Sequence, residues 1–395
     1  MSGRLRRRAL GVLLGLGAAI GLLWWQEASG PRSAHFRLLP ENEGAITAVA
    51  FHFVPATSDA TVPALRAFLA ALAGEAASDP SSAQPIRAYA VCPDETAATA
   101  LRREWSAWRL GPAVQLEAVV LGAPITPWCK DRFLVGEARS DPGGTVLLAP
   151  ASEHQGWAAR RSEAAVAPAL AEAVRGRTSA DTLPLAFDAG DLLATRTHLL
   201  VSESLYAKNQ ARWSHSRPEL RRTLEAAFGL PVVWLGSRPG EVPDHHLGMY
   251  LAPVDEQTVL VGDTELGETL WARQPADARD RDDGAGAPDF SPQRLAQLAA
   301  AGDQLQQAGF RVERLPIVPF GDPKVFLTYT NGVWETRGGR RVVYLPWYDR
   351  PPLDQAAEAT CRRLGYTVHR VPVSDLYRFR GTIGCLISVL RRRGA

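Results

Sequence analysis

Four short segments of this chain carry side chains that could do chemistry together. Cys385 stands in Gly381-Thr382-Ile383-Gly384-Cys385-Leu386, close to the C-terminus. Upstream are Trp128-Cys129-Lys130-Asp131, Phe187-Asp188-Ala189-Gly190-Asp191 and Asp244-His245-His246-Leu247-Gly248. A cysteine thiolate is a strong nucleophile near neutral pH. A histidine can pass protons to and from a reacting group, and carboxylates can orient it or grip a cation. Singly, each residue has a plainer role. Cys385 reads as a buried strand cysteine, and Asp131 as a turn carboxylate beside Lys130 and Arg132. Asp188 and Asp191 read as turn residues around Gly190, Asn331 as a turn residue before Gly332, and His246 as the surface neighbour of His245. The set, not any member, points to a cysteine nucleophile.

The elements that must hold these residues alternate between strand and helix. Alternating apolar residues mark strands at 46–54, 86–91, 114–121, 132–136 and 145–148. Helical spacing marks 62–72, 95–108 and an Ala-rich stretch at 157–174. A strand pair over 192–203 precedes a helix at 218–228, for which Gly229 is the expected C-cap. Strands at 249–253 and 259–262 then flank a turn, followed by a helix at 293–307 and a strand at 312–318. A hairpin of 325–334 with 342–345 follows. A helix at 354–364, a strand at 367–372 and a last strand at 385–389 complete the chain. The charged stretch 273–289 reads as a disordered insertion. Strand–helix alternation predicts an α/β fold, and the recurring order gives about five units of roughly 70 residues, which argues for a closed repeat.

At this point the motifs resemble those of a known family. Trp128-Cys129-Lys130-Asp131 resembles Trp-x-Arg-Asp, and Asp188-Ala189-Gly190-Asp191 resembles Glu-Gly-Gly-(Asn/Asp). His246-Leu247-Gly248-Met249-Tyr250 resembles His-x-Asp-x-(Phe/Tyr), whose register favours His246 over His245. Tyr329-Thr330-Asn331-Gly332 and Gly384-Cys385-Leu386 resemble the family's asparagine strand and nucleophile. The chain is similar to the guanidino-group-modifying (pentein) superfamily, nearest to its agmatine deiminase and bacterial peptidylarginine deiminase branches. That resemblance implies an α/β propeller of five ββαβ-type modules around a pseudo-fivefold axis. It implies a deiminase that releases ammonia from an arginine-type or agmatine-like guanidino group through a thiouronium intermediate. Cys385, His246 and Asp188 take the catalytic roles, and Asp131, Asp191, Asn331 and Trp128 the substrate-binding ones. An amidinotransferase, or a pentein that only binds, are the alternatives. No cofactor and no metal is implied.

Among the acidic positions, the sequence departs from the family at two places. Gly248 stands where the second substrate-holding aspartate is expected, and Asp188 is one methylene shorter than glutamate. Removing one of two buried charge partners typically weakens recognition by several kcal/mol. Three readings stay open: another acid such as Asp191 or Asp244 compensates, the substrate is not a standard guanidine, or catalysis has been lost.

With 395 residues, 46% of them hydrophobic, the chain can bury a large core, and a net charge of +2 gives no reason to expect a nucleic-acid partner. Arg4, Arg6, Arg7 and Arg8 precede the apolar run 9–25. This is a signal or anchor segment that leaves the remainder outside the cytoplasm, tied to the membrane or secreted. The expected organisation is therefore a leader at 1–25, a linker at 26–36 and one catalytic-type domain at 37–395. The four cysteines lack metal-type spacing, and Cys92 with Cys129 is the conceivable disulfide.

Overall fold

A computed structural model of the chain covers residues 35–79, 84–152, 162–174, 176–276 and 284–394. The leader at 1–25 and most of the linker lie outside these residues, as does the centre of the 273–289 stretch. The fold is α/β, with five separate sheets. The first contains Ile387–Arg393, Ala45–His52, Ile86–Cys92 and Val114–Val120, in that order. The second runs Phe36–Leu38, Leu134–Ala138, Thr145–Ser152, Thr178–Ala186. The third holds Leu192–Ala194, Leu199–Ser202 and Val232–Leu235. The fourth holds Leu251–Pro253, Thr258–Asp263, Arg311–Pro319 and Phe326–Thr328, and the fifth Val333–Arg337, Arg340–Trp347 and Tyr366–Pro372.

One local plan recurs in all five sheets. An antiparallel pair is followed by a helical crossover to a strand that pairs in parallel. The crossovers are Ser58–Ala77, Val166–Ala173, the pair Glu203–Trp213 and Arg217–Phe228, the pair Thr264–Ala272 and Pro292–Gln307, and Pro351–Arg363. In the first sheet the antiparallel pair joins the two ends of the chain: Ile387 lies opposite Phe51, and Ser388 opposite Ala50.

The sequence explains these elements locally. Ala45–His52 is buried at every position but one and Ile86–Cys92 likewise, as strands paired in parallel and covered on both faces require. Arg217–Phe228 begins with a capping box, Ser216 accepting from the Glu219 N–H while Glu219 reaches back, and Pro218 sits in the first turn. It ends at Gly229, whose φ of 68° suits the glycine expected there. The helical stretch Pro55–Ala77 is long and apolar enough to cross a bilayer, but half of its most apolar window is buried. It packs Leu65, Phe68, Leu69 and Leu72 into the main core, as a core helix does.

Several expectations are corrected. Cys385 lies in a short helical turn, Ile383–Leu386, and the last strand starts only at Ile387. The expected strand 325–334 is broken: Phe326–Thr328 pairs with Arg311–Pro319, while Val333–Arg337 belongs to the next sheet. The break falls at Tyr329-Thr330-Asn331-Gly332, and it frees Asn331 for other contacts. Phe36, placed in the linker, opens a strand that pairs with Leu134–Ala138. The flanks of the 273–289 stretch are integrated, with Gln274 and Ala285 buried and Pro288 bridged to Phe320. The four cysteines are all buried and free, so Cys92 and Cys129 form no disulfide.

Candidate functional site

Each sheet is reached through a short turn that leads directly into the first strand of its antiparallel pair, and each turn carries at least one candidate residue. Asp131 lies in Cys129–Arg132, ahead of Leu134–Ala138. Asp188 caps Ala189–Asp191, ahead of Leu192–Ala194. His246 caps Leu247–Met249, ahead of Leu251–Pro253. Asn331 precedes Val333–Arg337, and Cys385 precedes Ile387–Arg393. Asp131, His246, Asn331 and Cys385 line one cleft, together with Gly190, Gly248, Trp334 and Glu41. Among the described residues no group of three His, Cys, Asp or Glu side chains has the arrangement of a metal site.

His246 is held between two carboxylates. Its Nδ1 lies 3.3 Å from Asp131 Oδ1, and its Nε2 lies 3.6 Å from Asp188 Oδ2. Burial is the largest influence and would favour the neutral ring, but Asp131, Asp188 and the Cys385 sulfur together outweigh it, and His246 sits well above the ordinary imidazole range. It is therefore an imidazolium at neutral pH. His245 is its opposite. Burial pushes it down to about 3, so it stays neutral, with Nδ1 accepting the His246 backbone N–H at 2.8 Å. Its Nε2–H then donates to the Lys324 carbonyl at 3.0 Å. His245 buttresses the backbone that presents His246.

Asp188 is itself clamped. Arg132 Nη2 reaches it at 2.8 Å and Lys208 Nζ at 2.9 Å. Lys208 also binds Asp191 at 2.6 Å; although burial disfavours its charge, Asp191 and Asp188 together keep it protonated. Asp191 further accepts from Ser204 at 2.8 Å and from the Asp188 backbone N–H at 3.0 Å. Asp191 is thus fully buried behind Asp188 and does not line the cleft, contrary to the substrate-binding expectation.

Around the nucleophile candidate, the Asn331 side-chain amide donates to Cys385 Sγ at 3.1 Å, and Met249 Sδ lies 3.9 Å from the same sulfur. The Asn331 carbonyl accepts from Thr382 Oγ1 at 2.6 Å and from the Gly384 N–H at 3.1 Å. Asn331 thereby holds both the sulfur and the turn that carries it. Trp128 does not line the cleft; its ring packs where a Cβ on Gly381 would lie 2.6 Å from it, so it braces the nucleophile loop. Trp334 does line the cleft, and Trp347 lies under the Arg370 guanidinium at 4.2 Å.

Two glycines mean different things here. A Cβ on Gly190 would lie 2.5 Å from His246 Cγ and 2.7 Å from Nδ1, so the ring can sit where it does only because Gly190 lacks a side chain. Gly190→Ala is expected to push the imidazole off its carboxylates and to slow any reaction that needs His246 in place by about 10²-fold, since misplacement of a reacting group by about 1 Å costs that much. Melting should change little, and steady-state kinetics beside a thermal scan will check both. Gly248 is not crowded: a Cβ there would meet only Asn331 Nδ2, at 3.7 Å. Packing does not forbid a side chain at 248, so what the site lacks there is charge.

Sequence reasoning missed Glu41, Arg132 and Lys208. Lys208 sits on Glu203–Trp213, a helix whose polar composition hides its period, and Glu41 lies far from every motif. No protein-family description matches this sequence, and no curated protein does. Solved structures do match. An agmatine deiminase of C. jejuni is 15% identical over 91% of this chain and 97% of its own, with a TM-score of 0.65. That of Enterococcus faecalis is 12% identical over 91% and 96%, with a TM-score of 0.63. A protein named provisionally as a peptidyl-arginine deiminase is 16% identical over 91% and 99%, also at 0.63. These neighbours belong to the guanidino-group-modifying superfamily that the motifs resemble.

Proposed function

We propose that this chain, which shares its fold with the agmatine deiminases, is a cysteine-dependent hydrolase that converts a guanidino group to a ureido group and ammonia. The observation carrying the proposal is the convergence on one cleft of Cys385, His246, Asp131 and Asn331, each from a different lead-in turn. The same recurrence supports a five-module propeller around a pseudo-fivefold axis, with the turns gathered at one end of it. The apolar run at 9–25, behind its arginines, supports a place outside the cytoplasm, either anchored or secreted. On that side of the membrane peptidyl-arginine is favoured over agmatine as substrate.

The steps follow from the groups present. A guanidinium carbon is a poor electrophile because resonance spreads its charge, so a strong nucleophile is required. Asp131 accepts N–H donors of the planar cation and fixes it. The Cys385 thiolate adds to the central carbon, giving a tetrahedral adduct whose new bond is carbon–sulfur. His246, as imidazolium, gives its proton to one nitrogen, and the carbon–nitrogen bond breaks with release of ammonia. A thiouronium remains on Cys385. Neutral His246 then takes a proton from water as the oxygen attacks that carbon. Collapse expels the thiolate, the remaining hydroxyl proton passes to solvent and makes the released ammonia ammonium, and the neutral ureido product is left with His246 as it began. Asp188, fixed by Arg132 and Lys208, keeps the ring oriented throughout.

Gly248 favours a second reading, a protein that binds guanidino ligands without turning them over, since one carboxylate is missing from the cleft. Two measurements separate the readings. Ammonia release is measured over agmatine, free arginine and arginyl peptides, and a thiol-directed haloacetamidine is tested for a mass adduct on Cys385. The hydrolase reading expects both signals. An adduct without turnover supports the binding protein, and the absence of both removes the deiminase.

A further inference from the structure

We infer that Glu41 supplies the second carboxylate for the substrate's cation, the role that Gly248 cannot fill, and so determines affinity for guanidinium ligands. The inference rests on the deiminase reading of the same cleft. Among the described residues lining that cleft, only Asp131 and Glu41 carry carboxylates. The other acids weighed for this role are placed elsewhere. Asp191 is fully enclosed by Lys208, Ser204 and its own turn, and Asp244 is exposed and does not line the cleft. Asp131 alone cannot satisfy a guanidinium, which presents five N–H donors in a planar fork and is held best from two sides.

Glu41 is built to stay in place. The strand Phe36–Leu38 pairs antiparallel with Leu134–Ala138, which brings the segment after it alongside the turn bearing Lys130 and Asp131. The Glu41 backbone is pinned at both ends of its peptide, its N–H donating to the Ala194 carbonyl at 3.1 Å and its carbonyl accepting from Arg392 Nη2 at 2.7 Å. Its side chain accepts from Lys130 Nζ at 2.7 Å through Oε1. Oε2 makes no hydrogen bond among the described residues, although the Arg392 guanidinium is close enough to interact with the carboxylate electrostatically. Both side chains are 24% exposed, so the pair is neither sealed nor freely solvated.

Lys130 sets the strength of the grip. Without Lys130, Glu41 would keep only Arg392 as a cationic neighbour in a cleft that already holds Asp131; with it, the carboxylate shares its charge between Lys130 and the incoming cation. The arrangement admits a guanidinium by adding a partner at Oε2 without breaking the bond at Oε1. Removing the carboxylate should weaken cation binding, and removing the ammonium should strengthen it.

The test reads binding through the thiol. Alkylation of Cys385 by iodoacetamide, which is neutral, is followed in the presence of rising agmatine, and the half-protecting concentration is measured. Glu41→Gln is expected to raise that concentration roughly tenfold, and Lys130→Met to lower it several-fold. The neutral ureido compound citrulline should protect all three proteins equally. If agmatine protects the wild type but neither substitution moves its half-protecting concentration, the assignment of Glu41 is wrong while the deiminase reading stands. If no guanidinium protects the wild type, both fall. Opposite shifts in the two variants cannot come from a loss of folding, and thermal melts of each confirm it.

Discussion

Cys385→Ala is expected to cut ammonia release by at least about 10⁴-fold and to abolish the amidine adduct, while Cys92→Ala and Cys361→Ala leave both within about twofold. The contrast follows from where the thiols sit. Burial pushes Cys92, Cys129 and Cys361 up to about 12, so at neutral pH they are inert protonated thiols. None of the three lines the cleft. Cys385 does, and it alone combines an amide donor from Asn331 with a facing imidazolium. Truncating the nucleophile removes the carbon–sulfur bond that the route depends on, and no neighbouring thiol can substitute. The measurement is ammonia release alongside intact-protein mass after amidine treatment. An adduct that survives Cys385→Ala would assign the chemistry to another residue.

Asp131→Asn should lower kcat/KM by about 10²–10³-fold, because truncating one member of a desolvated charge pair typically costs 2–5 kcal/mol. A second signature separates it from a simple loss of binding. Asp131 is the main influence raising His246 against the pull of burial. Without it the imidazole titrates at lower pH, so the alkaline limb of kcat/KM moves down in pH, since the loss of ammonia that follows thiolate addition needs the imidazolium. Stability changes in a matching way. A group whose folded pKa is raised stabilises the fold fully below its unfolded value, near 6.5, and that contribution is lost as pH rises through the folded value. Wild type should therefore lose stability on the alkaline side, and Asp131→Asn should lack that slope. Denaturant midpoints between about pH 6 and 10 will read it. A wild-type slope retained in the variant would place the proton on another group.

Much of this architecture can be read in the amino acids. The alternation of apolar periods gave the α/β class, and the helices at Glu95–Trp108 and Arg217–Phe228 announce themselves through period and caps. The motif residues that meet in the cleft do so because each lies in a turn, and turn chemistry is legible locally. What fails is of two kinds. Glu203–Trp213 and Thr264–Ala272 were not anticipated, because each covers the core with few apolar residues. The second failure is long-range. Nothing near Asp191 reveals that Lys208 will cover it, and nothing near Glu41 reveals Lys130, because sequence distance bears no relation to which turns face each other. Asp191 looked like a substrate residue for that reason, and Glu41 like none.

The pairing of Ile387–Arg393 with Ala45–His52 fixes when the proposed site can form. The first sheet cannot be completed until residues 387–393 have been made, so Ala45–His52 waits until then with an open edge. The nucleophile lies in the turn just ahead of that fastening strand, so the thiol is positioned in the same event that closes the molecule. On the proposed function, a chain that has lost residues 387–393 would be inert instead of damaged but reactive. If the leader at 1–25 does send the chain across a membrane, no reactive centre exists before arrival.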